Sequence, residues 1–368
     1  MDADVIVVGG GVIGTAIAWR AAAHNHDVIL VDPGDDGDKA TYVAAGMLAP
    51  VSESVFGEEN LLALNLRALE RLPSFVREAE EATGQQAGLR TEGTLNIALD
   101  SGDLAALRRL AEFRRGIGLP AEELSGRECR RLEPFLASNV AGGVLARADL
   151  SVDNRRYFRA LRAAAETAGV RVIASRVTEV GAGTATTPDG VITATSVVVA
   201  AGHAITRIAG IPEPVRKAVR PVKGQILRLR HPGTLPPVAA RTIRALVQGR
   251  DVYLVPRADG EIVVGATQEE RDDTDITVGA VHDLLSDARS VLPAASELIL
   301  AETSAGLRPG TTDNGPIVGW AGENLIVAAG HFRNGILLSA ATADAVTALL
   351  DESGPAPEWA PFTPGRLQ

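Results

Sequence analysis

The chain has 368 residues, with 46 acidic against 36 basic side chains and a formal net charge of −10. That length allows two domain-sized cores, or one large domain with a second woven into it. The charge excludes a nucleic-acid or anionic-membrane partner, since both need a cationic face, and Cys129, the single cysteine, excludes an intramolecular disulfide or a thiolate metal centre.

The acidic start, residues 1–4, lacks the basic stretch of a signal peptide, so cytoplasmic residence is expected. The apolar run 5–19 is too short to span a bilayer and holds four glycines. Within it, 5–8 reads as a strand buried on both faces, 9–14 as a turn and 15–24 as a helix, with a second buried strand at 28–31. Residues 60–82 place Leu61, Leu62, Leu66, Leu69, Leu72 and Val76 at a helical period. A strand follows at 93–100, then helices at 101–116 and 121–132. Cys129 lies in the charge-rich part of the latter, which reads as a surface helix with no reactive thiol.

From residue 152 the pattern returns to alternating α and β: a helix at 155–168, a strand at 170–174, and a strand at 191–200 leading into Ala200, Ala201 and Gly202. Residues 215–267 read as antiparallel β, with strands at 224–230, 252–255 and 262–265 and a turn at 258–260. A helix at 278–292, a strand at 325–328 and a helix at 335–350 close the chain. The fold class expected is α/β plus α+β: a discontinuous, Rossmann-like nucleotide domain of 1–82, 146–214 and 301–368, with an inserted antiparallel-sheet domain of 83–145 and 215–300 that binds substrate.

Residues 9–14, GGGVIG, fit G-x-G-x-x-G. Gly9 permits the tight turn after the strand, Gly11 lets a pyrophosphate approach the backbone, and Gly14 lets helix and sheet pack closely. The helix start offers unpaired N–H groups to phosphates. Asp32, at the end of the second strand, can accept ribose hydroxyls and disfavours a 2′-phosphate. On these residues alone FAD and NAD fit equally.

Later motifs bear on that choice. Residues 41–50 (TYVAAGMLAP), 196–202 (SVVVAAG), 221–225 (PVKGQ), 253–257 (YLVPR), 263–267 (VVGAT), 305–310 (AGLRPG) and 328–338 (AAGHFRNGILL) resemble, in this order, those of the D-amino-acid oxidase family, above all its glycine oxidases of thiamine biosynthesis. The resemblance runs from residue 5 to about 350. It implies non-covalent FAD, lined by Gly9, Gly11, Val12, Ile13, Gly14, Asp32, Pro33, Ala40, Thr41, Ala45, Gly46, Met47 and Gly202, with the backbone of Val177 on the adenine. His331, Phe332, Arg333, Asn334, Gly335, Ile336 and Leu337 would wrap the isoalloxazine. Arg308 would pair with a substrate carboxylate, Tyr253 would hydrogen-bond it, and Arg333 would sit where flavin and substrate meet. Asp32 stands where the family often has glutamate, and Tyr42 and Val43 replace small or hydroxyl residues.

The activity implied is oxidation of glycine, sarcosine or small D-amino acids, with O2 reduced to hydrogen peroxide, in a homotetramer. A dehydrogenase passing electrons to a quinone or other carrier, a non-catalytic flavoprotein and an NAD-linked dehydrogenase remain alternatives. No catalytic base is required if the amine arrives neutral, because the nitrogen lone pair then drives hydride from Cα to the flavin. Gly335, opening the last helix, would set a positive helix end against reduced flavin, with Asn334 as an N-cap. His331 reads as a cofactor contact and His203 as a helix start. Asp149, Asp153, Glu302 and Asp313 read as solvated loop or cap residues, and Glu53 as a gate at the entrance. No histidine spacing suggests a metal site.

Overall fold

The computed structural model describes residues 2–34 and 39–367, so the first residue of the acidic start lies outside it. A parallel core sheet runs Arg171–Ile173, Val28–Val31, Ala3–Val8, Gly190–Val199 and Leu325–Ala329. The short strands Glu179–Gly181 and Thr184–Thr187 and the strand Ile317–Gly322 extend it antiparallel to eight strands. Its inner strands are continuous apolar runs because both faces are covered. Val5 and Val7 pack with the helices Val12–Ala23, Glu59–Thr83, Asn154–Thr167 and Ser339–Leu350, whereas Ile6 and Val8 pack with Val177, Ile205 and Ile208 on the other side. Among the described residues no helix is long and apolar enough to cross a membrane.

A second eight-stranded sheet runs Ile299–Gly310, Arg220–Arg230, Ile262–Gly265, Arg250–Pro256, Thr242–Val247, Thr94–Ala98, Gly142–Ala146 and Glu122–Ser125. It is antiparallel except where Thr242–Val247 pairs parallel with Thr94–Ala98. The helix Val278–Val291 covers its apolar face with Leu284, Ala288 and Val291. The strand Ile299–Gly310 pairs along its length with Arg220–Arg230, so the expected changeover at residue 301 falls inside a strand and the second sheet reaches Gly310.

Three local expectations are corrected. The helix expected over 121–132 is a strand, Glu122–Ser125, followed by a helix, Gly126–Leu132, because Ser125 and Glu128 form a reciprocal capping box that starts the helix there. Cys129 is buried among Leu95, Ile97 and Leu145, not on the surface, and burial pushes its thiol up to about 11. The last helix begins at Ser339, not Gly335: Phe332–Asn334 form a 3₁₀ turn, and Leu338 occupies the N-cap position expected of Asn334.

Candidate active site

A cavity of about 820 Å³ opens at the carboxyl ends of the parallel strands and continues to the face of the second sheet. At its first end Gly9 has φ +104°, and a Cβ there would meet the Ala200 carbonyl at 2.6 Å. A Cβ at Gly14 would run into the Gly9 carbonyl, so both glycines serve the packing of turn, helix and strand. A Cβ at Gly11 would meet only Thr41 Oγ1, at 3.4 Å, and Gly11 lines the cavity. The space beside it is left for something other than protein. Val12 N–H donates to Thr41 Oγ1 at 2.9 Å, tying this turn to the next cavity segment.

Asp32 closes the same end. Its Oδ2 accepts from Gly10 N–H at 2.6 Å, and its Oδ1 from Gly34 N–H at 2.9 Å and Lys39 Nζ at 2.6 Å. Burial alone would raise its carboxyl, but the Lys39 and Gly10 hydrogen bonds outweigh burial and hold it below the usual range. Pro33, Ala40, Val177 and Gly202 line the cavity around it. An open glycine turn at a helix start, with an ionised carboxylate one strand away, fits the diphosphate and ribose of a dinucleotide.

The middle wall is residues 40–47, of which Ala40, Thr41, Ala45, Gly46 and Met47 line the cavity. Their backbone is clamped from behind by side chains that sequence reasoning missed. Asn154 Nδ2 donates to the Thr41 and Tyr42 carbonyls at 2.8 and 3.0 Å. Arg257 donates to the carbonyls of Ala45 at 2.7 Å and Val152 at 2.9 Å, and also to Asn154 Oδ1 at 3.0 Å. Arg155 lies over the Tyr42 ring at 3.8 Å while its Nε donates to the Tyr42 carbonyl at 3.1 Å. Burial pulls the Arg257 guanidinium down to about 10, which leaves it charged at neutral pH. The only signal for Arg257 in the sequence was its place at the end of YLVPR.

At the far end, Tyr253 and Arg308 rise from the second sheet into the cavity. Arg308 Nη1 donates to the Thr267 carbonyl at 3.2 Å. Two glycines make their room: a Cβ at Gly224 would strike the Arg308 guanidinium, and one at Gly265 would strike the Tyr253 ring and hydroxyl. Burial raises the Tyr253 phenol above its usual value, with the neighbouring Arg308 pulling the other way. Tyr253 is directly opposite Arg244 on the next strand, and Arg244 Nη1 donates to Glu53 Oε1 at 2.8 Å. Arg244, Glu53 and Asp251 also line the cavity. Arg244 and Asp251 were not foreseen, because strand pairing, not sequence spacing, brings them here.

The turn 331–337 supplies the remaining wall. His331, Phe332, Arg333, Gly335 and Ile336 line the cavity beside Val12 and Ile13, whereas Gly14, Asn334 and Leu337 stand behind the lining. Phe332 adopts φ +46°, a left-handed conformation that a bulky residue rarely takes and that turns the chain between His331 and Arg333. His331 is buried, with Nε2 3.0 Å from Thr342 Oγ1, and burial lowers its pKa to about 3. A ring with so little proton affinity is ill suited to serve as a base. Arg333 Nη2 lies 3.4 Å from Glu58 Oε2.

Among the acids expected in solvated loops or caps, Asp153 caps its helix through Arg155 and Arg156 N–H, Glu302 pairs with Arg155 at 2.6 Å, and Asp313 pairs with Arg366. Asp149 differs. It is fully buried, accepts from Val51 and Ser52 N–H at 3.0 and 3.2 Å, and burial pushes its carboxyl up to about 6. His203 stands in the 3₁₀ turn Gly202–Arg207 and lines the cavity.

A family model described as FAD dependent oxidoreductase matches residues 4–349. The chain is 34% identical over 370 residues to a glycine oxidase of Geobacillus kaustophilus, covering 98% of this chain and 96% of that protein. It is 33% identical over 376 residues to the bifunctional protein ThiO/ThiG of a Synechocystis strain, covering 99% of this chain and 54% of the relative. The crystal structure of glycine oxidase from Geobacillus kaustophilus superimposes with a TM-score of 0.89 at 32% identity over 98% of both chains.

Proposed function

The chain belongs to the FAD-dependent oxidoreductases whose family model spans it from residue 4 to 349, and from that premise we propose that it oxidises glycine and related small amines such as sarcosine and small D-amino acids. With glycine the balanced reaction is glycine, O2 and water to glyoxylate, ammonia and hydrogen peroxide. When bound, FAD supplies the two-electron acceptor for the hydride leaving Cα.

One observation carries the reading: Arg308 and Tyr253 stand over a glycine floor at the far end of the cavity whose near end is the dinucleotide turn. The Arg308 guanidinium can grip a carboxylate through two parallel hydrogen bonds, and the Tyr253 hydroxyl adds a third point that fixes Cα. The clamped backbone of 40–47 and the turn 331–337 form the walls that hold the flavin and exclude water. No side chain is asked to take the Cα proton, which agrees with the low basicity of His331. In this reading the first sheet and its helices are the cofactor unit and the second sheet the substrate unit. We further assign a cytoplasmic homotetramer, tested by a solution mass four times that of the 38.3 kDa chain. The metabolic setting we assign is thiamine biosynthesis, on the names the relatives bear.

The test is anaerobic addition of glycine to the flavin-loaded protein, followed by air. Bleaching of the flavin, then recovery of colour with peroxide release, is the expected result. Bleaching that air does not reverse would favour the dehydrogenase alternative, and no bleaching would end the amino-acid reading.

A further inference from the structure

Beyond Tyr253 the cavity wall carries charge of both signs. Arg244, opposite Tyr253 across the strand pair, rises from the same sheet face. Its ion pair with Glu53 is sheltered, the two side chains being 17% and 16% exposed. Asp251 lies 3.8 Å from the other Arg244 nitrogen but is mostly in solvent.

Glu53 is not a chance surface partner, because the segment that carries it is fastened on several sides. Asp149 takes the N–H groups of Val51 and Ser52, Asn96 Nδ2 donates to Ser52 Oγ at 2.9 Å, and Arg114 donates to the Ser52 carbonyl and to Ser54 Oγ. The carboxylate is thus delivered to the guanidinium from a rigid support. The charged groups lining the substrate end are Arg308, Arg244, Arg333, Glu53 and Asp251, with Glu58 against Arg333 and the opposite charges of Arg114 and Asp149 behind Glu53 and Arg244. Once an α-carboxylate neutralises Arg308, two guanidiniums, Arg244 and Arg333, remain against the carboxylates of Glu53, Asp251 and Glu58. A second substrate carboxylate would find the further cations of that group already held, Arg244 by Glu53 at 2.8 Å and Arg333 by Glu58 at 3.4 Å. An apolar pair would close the wall with no loss of stability. What an ion pair adds is repulsion of like charge, which is a source of selectivity.

We propose that Glu53, held on Arg244, is a specificity-determining residue that rejects substrates bearing a second carboxylate, so that the site takes monocarboxylate amines. The inference rests on the reading that Arg308 anchors the α-carboxylate. Sarcosine and iminodiacetate form the matched substrate pair, differing only by a carboxylate on the N-methyl group. Methoxyacetate and oxydiacetate are the corresponding pair that cannot react as amines.

The experiment compares the holoenzyme with Glu53→Gln and Arg244→Met, each checked for flavin content and thermal unfolding. Two ratios are read: anaerobic flavin reduction by iminodiacetate over sarcosine, and affinity for oxydiacetate over methoxyacetate from calorimetry. Glu53→Gln keeps the size and frees Arg244, so both ratios should rise about ten-fold or more, the effect of gaining a charge-assisted hydrogen bond. Arg244→Met leaves Glu53 unpaired, and both ratios should fall. Ratios within about two-fold of wild type in both variants would overturn the proposal and leave the pair a packing element. If Glu53→Gln does not fold, Arg244→Met decides alone: a fall supports the filter and no change removes it. Should no amine reduce the flavin while the binding ratio still depends on Glu53, the functional reading falls and the filter stands.

Discussion

Adding one methyl group at Gly224 moves the Arg308 guanidinium without touching Arg308 itself. Gly224 lies in the strand Arg220–Arg230, opposite Gly306, with its backbone outside the left-handed region, so alanine fits the main chain. A Cβ there would overlap both terminal nitrogens and the Cζ of Arg308, which are its three nearest neighbours. The end of a long side chain can move away cheaply, so the fold should hold, and the unfolded state becomes less favourable by about 0.4–1 kcal/mol. The displaced guanidinium can no longer present its planar fork. Loss of a charge-assisted contact costs about 1.5–3 kcal/mol, which corresponds to roughly 10- to 150-fold in kcat/KM for glycine. Arg308→Ala should lose at least as much, and Arg308→Lys should recover only part, since an ammonium is a point charge. A small amine without a carboxylate should be oxidised by Gly224→Ala and wild type at similar rates. Steady-state kinetics with glycine, sarcosine and such an amine, on flavin-replete protein of unchanged Tm, decide the matter. Wild-type efficiency with glycine in Gly224→Ala would refute the role given to Arg308, and equal losses for all three substrates would mean that Arg308 shapes the flavin site instead.

Other outcomes follow from the cofactor end and the buried acid. Gly11→Val should abolish FAD binding with little change in the apoprotein Tm, because a Cβ there meets only Thr41 Oγ1 at 3.4 Å; full flavin occupancy by absorbance would put the pyrophosphate elsewhere. Acid precipitation should release all the yellow colour, since the buried Cys129 lies in the second sheet's core and His331 is held by Thr342; colour left in the pellet would indicate a covalent bond. Asp149 has a folded-state value near 6, above its ordinary 3.8, so its contribution is present below about pH 4 and is lost as pH rises through 6. The unfolding free energy of wild type minus that of Asp149→Asn should therefore fall over this window by up to about 1.4 kcal/mol per unit, read from urea melts; a flat or rising difference would contradict the burial argument.

What was legible in the sequence was local. The glycine turn, the strand before it and Asp32 after it are set by backbone conformation and short spacing, and the structure brings all of them to one cavity. The start of the helix Gly126–Leu132 was equally open to reading, since Ser125 and Glu128 carry the capping-box spacing. Cys129 looked exposed because its neighbours are charged, yet a helix in a charge-rich run can still turn one small face, here Gly126 and Cys129, towards the core. Long-range matches were out of reach. Nothing near Asp149 in the chain says that it accepts the N–H groups of Val51 and Ser52 almost a hundred residues earlier. Arg244 reaches the cavity only because Thr242–Val247 pairs with Arg250–Pro256 in one register, and a one-residue slip would turn it to the opposite face.

Three glycines of the second sheet, Gly224, Gly265 and Gly306, explain why the substrate end needs so few residues of its own. Gly306 and Gly224 are direct partners on neighbouring strands, and Gly265 is the partner of Tyr253. Each glycine inside a strand costs about 0.5–1 kcal/mol relative to alanine, so three near one point need a steric reason. Here each vacancy has an occupant from elsewhere: Arg308 lies over Gly224, the Tyr253 ring over Gly265, and Val43 of the cavity-lining segment against Gly306, where a Cβ would come within 3.0 Å of Val43 Cβ. The sheet thus gives up side chains at its centre so that two long polar ones can lie across it and the wall of the other sheet can dock on it. Both groups that would hold the substrate are fixed by a hydrogen-bonded sheet and not by loops. Specificity can then be set by what reaches that rigid floor from outside, as Glu53 does through Arg244.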